Sequence, residues 1–145
     1  MKVALAALFY FAAVFGAGFL LGPIRVLLLE PRLGSLVALL CEAPLLLVVM
    51  MFAARRIPAA VRLKPDTGAL ATVGVAALML QQVADLTVGV TLRGIGIVAQ
   101  LARFLTVEGL LYAGLLVLFA AMPLLANRVK RADAHSSGSV VNRSG

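Results

Sequence analysis

Four long apolar runs, each close to the length of a membrane-crossing helix, dominate this chain. They cover about residues 3–29, 35–54, 68–92 and 108–126. An α-helix rises ~1.5 Å per residue and a bilayer's hydrocarbon core is ~30 Å thick, so ~20 apolar residues suffice to cross it. Lipid offers no hydrogen-bond partner to an exposed backbone, and such runs must therefore be helical. Hydrophobic residues make up 63% of the chain and charged residues 13%. A soluble domain carries roughly 45–50% apolar and ~25% charged residues. A globule of 145 residues has too little interior to hide this excess. The expected fold is all-α: one domain over residues 1–132, with four transmembrane helices in an antiparallel bundle.

Met1-Lys2 followed by an apolar run has a rival reading as a signal peptide. The apolar stretch continues past any Ala/Gly cleavage candidate to Leu29, whereas a signal core spans roughly 7–15 residues. The first segment is therefore read as a retained helix.

Net charge is +7. The basic residues lie between and after the apolar segments, which is the pattern of membrane orientation signals. No basic run interleaved with aromatics stands on a polar scaffold, and nucleic acid is not expected as a partner. Lys2, Arg55, Arg56, Arg62, Lys64, Arg128, Lys130, Arg131 and Arg143 share one side of a four-helix topology. Arg25, Arg32, Arg93 and Arg103 share the other. The side richer in basic residues faces the cytoplasm, so both termini are expected inside.

Three connections follow. Glu30-Pro31-Arg32-Leu33-Gly34 forms a tight outer turn, because Pro31 discourages helix at Glu30. The inner connection holds Pro58 and Pro65 and is expected to be a loop. In the second outer connection Ile95, Val98, Leu101, Ala102 and Leu105 alternate with Arg93, Gln100 and Arg103 at roughly helical spacing, as in a short amphipathic helix lying at the interface. Residues 133–145 are rich in Ser and Gly and are expected to form a disordered tail. Cys41, the single cysteine, excludes an internal disulfide and reads as a buried small hydrophobe.

Charges inside the apolar runs are the most informative feature. Glu42 and Asp85 both fall ~10–12 Å below the outer ends of their helices, at 1.5 Å per residue. Arg25 closes the first helix on that side, Arg93 closes the third, and Glu108 opens the fourth. Ionisable groups in a membrane cost ~2.5–3.5 kcal/mol each on insertion scales, so they should face one another. Arg25 and Arg93 are expected to neutralise Glu42 and Asp85. Gln81, Asp85, Gly89 and Arg93 recur every four residues as one polar stripe, flanked by Gln82, and Tyr112 lies one turn from Glu108. Pro44 frees the Leu40 carbonyl beside Glu42. The plainer reading of this cluster is a lock that holds four helices in register. The alternative is a proton relay or a site for a small polar or cationic ligand.

Gly18 and Gly22 form a GxxxG pattern, which lets another helix approach closely. They are read as a packing groove within the bundle, with a dimer contact as the alternative. Tyr10, deep in the first helix, is expected to find a backbone partner. His135 lies in the tail, and no metal site, cofactor motif or catalytic pattern such as GxSxG, HExxH or CxxC is present.

The stretch Val14-Phe-Gly-Ala-Gly-Phe-Leu-Leu-Gly-Pro-Ile-Arg-Val-Leu27, then Pro31-Arg-Leu-Gly34, then Glu42-Ala-Pro-Leu45 resembles a family of small, uncharacterised four-helix inner-membrane proteins of proteobacteria. The pattern GxxxGxxR…PRLG…ExP carries most of the likeness. The resemblance implies topology and a bacterial inner-membrane location, and no activity. Of the functional classes, a non-enzymatic structural or accessory membrane protein ranks first, acting within the bilayer, alone or with a membrane-protein partner. A small transporter or channel-like homo-oligomer using Glu42 and Asp85 ranks second, and a membrane enzyme third.

Overall fold

A computed structural model describes residues 1–64, 66–91 and 94–141, with residues 130–141 described by backbone alone. The described residues are helical with no strand, and the elements run α1 (Lys2–Ile24), a π turn (Arg25–Leu29), α2 (Glu30–Leu33), α3 (Ser35–Ala60), α4 (Thr67–Thr91), α5 (Ile97–Ala102), a 3-10 turn (Arg103–Leu105) and α6 (Val107–Val141). Four stretches are long and apolar enough to cross a membrane: Lys2–Leu33, Ser35–Ala60, Thr67–Thr91 and Val107–Val129. This architecture is compatible with a multi-pass membrane protein. α1 packs on α3 and α4, and α6 packs on α3 and α4, so the four form a bundle.

Helix starts follow capping chemistry. The Asp66 carboxylate accepts from the backbone N–H of Gly68 at 3.1 Å and of Ala69 at 3.3 Å, which fixes the start of α4. The Thr106 hydroxyl accepts from Gly109 N–H at 3.1 Å and does the same for α6.

Two prolines expected to mark loops lie inside helices instead. Pro58 belongs to the last turn of α3, where its missing N–H leaves the Ala54 carbonyl without its helical donor and the helix ends two residues on. Pro31 sits in the first turn of α2, directly after the π turn. A proline is tolerated at a first helical turn, and the wide π turn before it moves the preceding carbonyls out of its way. The chain thus stays helical through Glu30 to Leu33, and the reversal is made at Gly34 with φ +81°, a backbone region open to glycine.

At the far end, α6 continues as backbone helix to Val141, where a disordered tail was expected from Asp133. Extending an existing helix through Lys130-Arg-Ala-Asp-Ala needs no new nucleus, and no proline interrupts it. Residues 142–145 lie outside the described residues.

The core is mostly small side chains packed around a few large ones. Ala6, Ala7, Tyr10, Ala53, Ala54, Val73, Ala77 and Ala126 are buried with Phe119 and Met122. Gly74 lies so close to α6 that a Cβ there would collide with the Ala120 carbonyl. The large apolar side chains Leu20, Leu27, Val48, Phe52, Val83, Leu110 and Val117 point outward and are exposed. In water that surface would be an aggregation liability; in a bilayer it meets lipid. Cys41 is exposed too, contrary to its expected burial: it precedes Glu42, and the inward turn of Glu42 puts its neighbour on the outer face.

Tyr10 joins α1 to α6. Its ring stacks on Phe119 at 4.8 Å between centroids, and its hydroxyl donates to the Phe119 carbonyl at 2.9 Å. That carbonyl is the one Pro123 leaves without its helical N–H. The backbone partner expected for Tyr10 is thus a carbonyl freed by a proline.

Candidate functional site

The ionisable and amide side chains that line the interior lie toward the Gly34 end of the bundle, in two groups. The first sits on α1, its π turn, α2 and α3. Arg25 Nη1 lies 3.2 Å from Glu42 Oε2, and Arg25 Nε lies 3.3 Å from Glu30 Oε1. The Nε contact is an ion contact without hydrogen-bond alignment. The π turn makes it reachable: residues five apart point to different faces of an α-helix but stack when the bonding pattern widens to i→i+5. Glu42 is 8% exposed, the lone charged residue among the buried ones described. The expected Arg25–Glu42 pair is therefore present, and Glu30 joins it.

The second group is built on α4, α5 and α6 around Asp85. Gln81 Nε2 donates to Asp85 Oδ1 at 3.1 Å, one turn along the same helix. The Tyr112 hydroxyl donates to Asp85 Oδ2. Gln100 on α5 donates from Nε2 to the Asp85 backbone carbonyl at 2.8 Å. Gly89 makes room for Gln100, whose amide occupies the space a Cβ would fill. Arg93, expected as the cation for Asp85, lies outside the described residues. Glu108 stands in the first turn of α6, where a carboxylate suits the positive end of the helix dipole.

Between the two groups is a cavity of about 500 Å³, lined on one side by Arg25 and Glu42 and on the other by Gln81, Gln82, Asp85, Gln100, Glu108 and Tyr112. Its floor is Val14, Met50 and Phe119, all buried. Three amide oxygens, Oε1 of Gln81, Gln82 and Gln100, are buried without a hydrogen-bond partner. No protein-family model matches this chain, and no curated protein or solved structure is similar to it. The site has to be read from its own geometry.

Gly18 and Gly22 border this cavity, and within the single chain neither lies in close contact with another helix. A Cβ at Gly18 would make only ordinary contact with Leu46 at 3.9 Å, and at Gly22 it would meet nothing within 4 Å. The tight helix contacts are at Gly74, against the Ala120 carbonyl, and at Gly109, against the 3-10 turn. Four-residue spacing shows which glycines share a face, but the neighbour is decided by the whole bundle. Gln100, which sequence reasoning left among interfacial positions, and Phe104, which it did not single out, line the site; Gly89, in the middle of the polar stripe, was the available signal that something packs across it. No group of three or more metal-ligating side chains occurs among the described residues.

Proposed function

We propose that this chain is a non-enzymatic, multi-pass protein of the bacterial inner membrane that holds a water-accessible cavity for a small polar solute. One observation carries this reading. A register lock closes opposite charges onto one another, whereas here about 500 Å³ of space separates the Arg25–Glu42 group from the Asp85 group. Glu42 is paired with Arg25 on its own side of the cavity, and the Asp85 carboxylate accepts from Gln81 and Tyr112 on the other. The inner-membrane location rests on the resemblance of the GxxxGxxR…PRLG…ExP residues.

An antiparallel bundle is supported by two contacts, one at each end of α1. Lys2 Nζ donates to the Arg62 carbonyl at 3.4 Å while Arg25 meets Glu42, so one helix descends as the other climbs. Nine basic residues on the Met1 side against four on the Gly34 side put both termini in the cytoplasm and the cavity in the outer half of the bilayer. On α5, Ile97, Val98 and Leu101 are exposed while Gln100 turns inward, which fits a short amphipathic helix resting at the outer interface.

Thiol labelling tests the reading. In a Cys41→Ser background, Leu86→Cys places a thiol on the cavity wall and Val83→Cys places one on the lipid face, where Val83 is 64% exposed. A membrane-impermeant sulfonated maleimide added to intact spheroplasts is expected to label the first and not the second. Labelling of neither means that the cavity is closed to water and the reading falls. Labelling of Leu86→Cys only in inside-out vesicles would reverse the orientation.

A further inference from the structure

The cavity is long and narrow, and its long axis runs with the helices. Its lining reaches from Ser35 to Met50 on α3 and from Thr106 to Phe119 along α6, ~20 Å at ~1.5 Å per residue. That exceeds one leaflet of a ~30 Å hydrocarbon core. About 500 Å³ spread over ~20 Å leaves roughly 25 Å² of cross-section, a slot about 5 Å wide. Carbon chains in contact lie ~4 Å apart, so the slot takes one hydrocarbon chain and not two.

Polarity changes along the slot. At the Gly34 end the rim carries Ser35, Arg103 and Thr106, all exposed, together with Glu108. Midway, the carboxylates are held by protein partners: Glu42 by Arg25, Asp85 by Gln81 and Tyr112. The amide oxygens of Gln81, Gln82 and Gln100 have essentially no accessible surface and offer an occupant nothing. The rest of the wall at that depth is Gly18, Phe19, Gly22, Leu39, Leu86 and Leu115. Phe19 is also 53% exposed, so the wall continues into the apolar outer face of α1. The floor is apolar, and an apolar space holds water poorly. Hydrocarbon fills such a space and gains dispersion contacts with its walls.

We infer that the slot holds the chain of a single-chain amphiphile from the leaflet at the Gly34 end, its polar head at the rim and its tail on the floor. This rests on the cavity of the reading above and specifies its ligand class: the polar part of the solute sits where water reaches, and an apolar part lies below. A two-chain lipid would have to leave its second chain outside the slot. The rim carries both signs of charge, on Arg103 and Glu108, so the number of chains decides what is bound and the charge of the head does not.

The chain has no tryptophan, and a single introduced one reports its own surroundings. Phe15→Trp places it on the slot wall, and Val83→Trp places it on the exposed outer face. The full chain in phosphatidylcholine vesicles is given either lysophosphatidylcholine or diacyl phosphatidylcholine, brominated near the chain end, at equal bromine content. The lysolipid should quench Phe15→Trp about tenfold more effectively, and Val83→Trp no more than the diacyl lipid does. Unbrominated lysophosphatidylcholine should reverse the Phe15→Trp quenching, whereas glycerophosphocholine, the same head without a chain, should not. Gly18→Leu and Gly22→Leu add bulk at lining positions where a Cβ makes at most an ordinary contact, and each should abolish the preference. Equal quenching of Phe15→Trp by the two lipids overturns the inference. So does a preference that survives both glycine variants, or reversal by glycerophosphocholine. With Leu86→Cys labelled, those outcomes leave a water-accessible cavity for a solute without a chain and remove the amphiphile alone. A lysolipid preference with Leu86→Cys unlabelled keeps the chain site and removes the water access.

Discussion

Pro123 deletes one hydrogen bond from α6, and Tyr10, from the other end of the chain, supplies a replacement at 2.9 Å. Inside a membrane such a bond is worth about 0.6–1 kcal/mol. Tyr10→Phe keeps the ring stack on Phe119 and removes only the hydroxyl, so it should destabilise the bundle by about that amount in reversible unfolding. Pro123→Ala restores an N–H in reach of the Phe119 carbonyl, and in that background Tyr10→Phe should cost measurably less. An unchanged cost in the double variant would mean that the hydroxyl is not compensating the proline. A backbone partner for Tyr10 was foreseeable because a hydroxyl in lipid must bond to something. Which carbonyl was not, since Pro123 and Tyr10 are linked only by packing. Arg25 and Glu42 were legible for a similar reason: equal depth and opposite charge leave few other solutions in an apolar medium. Glu30 as a third member was not, because its approach depends on a π turn that no residue pattern announces.

At the scale of elements, the number and order of spanning helices follow directly from apolar length. Helix ends follow less well. Prolines 31 and 58 were read as breakers, yet both fall inside helices, Pro31 in a first turn where its N–H has no helical partner to lose and Pro58 in a last turn, two residues before the helix ends. Packing by glycine was the least legible feature. α4 and α6 are in their closest contact at Gly74, whose would-be Cβ overlaps a backbone carbonyl. A carbonyl cannot rotate away as a flexible side chain can, so Gly74→Ala must separate the helices. A destabilisation of about 1–3 kcal/mol is expected, the usual cost of overpacking. Gly22→Ala meets nothing within 4 Å and should leave stability unchanged or raise it slightly, since alanine is the better helix former. The two variants should be compared by the same unfolding assay. A loss at Gly22 as large as at Gly74 would restore GxxxG as a helix-packing or dimer motif and displace Gly74 from that role.

On the scale of the whole molecule, the interior of the bundle is polar toward one end and apolar toward the other. The cavity and its carboxylates occupy the Gly34 end. Below its floor the interior is closed by Ala6, Ala7, Tyr10, Ala53, Val73, Ala77 and Ala126, with Tyr10 pressed on Phe119. No ionisable side chain other than the hydroxyl-bonded Tyr10 occurs in that core cluster. A proton or ion leaving Asp85 toward the Met1 end would cross this packed layer without a carboxylate or amide to receive it, at the cost of an unsolvated charge in a medium of low polarity. Among the described residues, a single bundle thus has a cavity toward the Gly34 end and no chain of polar side chains from it through the packed core. The expected result for wild-type protein in liposomes is no proton flux above that of empty liposomes under an imposed potential, and no difference on Asp85→Asn. A wild-type flux that disappears in a folded Asp85→Asn variant would require a second, conducting arrangement of the helices or a path between copies of the chain. It would then make Asp85 a relay for protons instead of a wall residue of a binding cup.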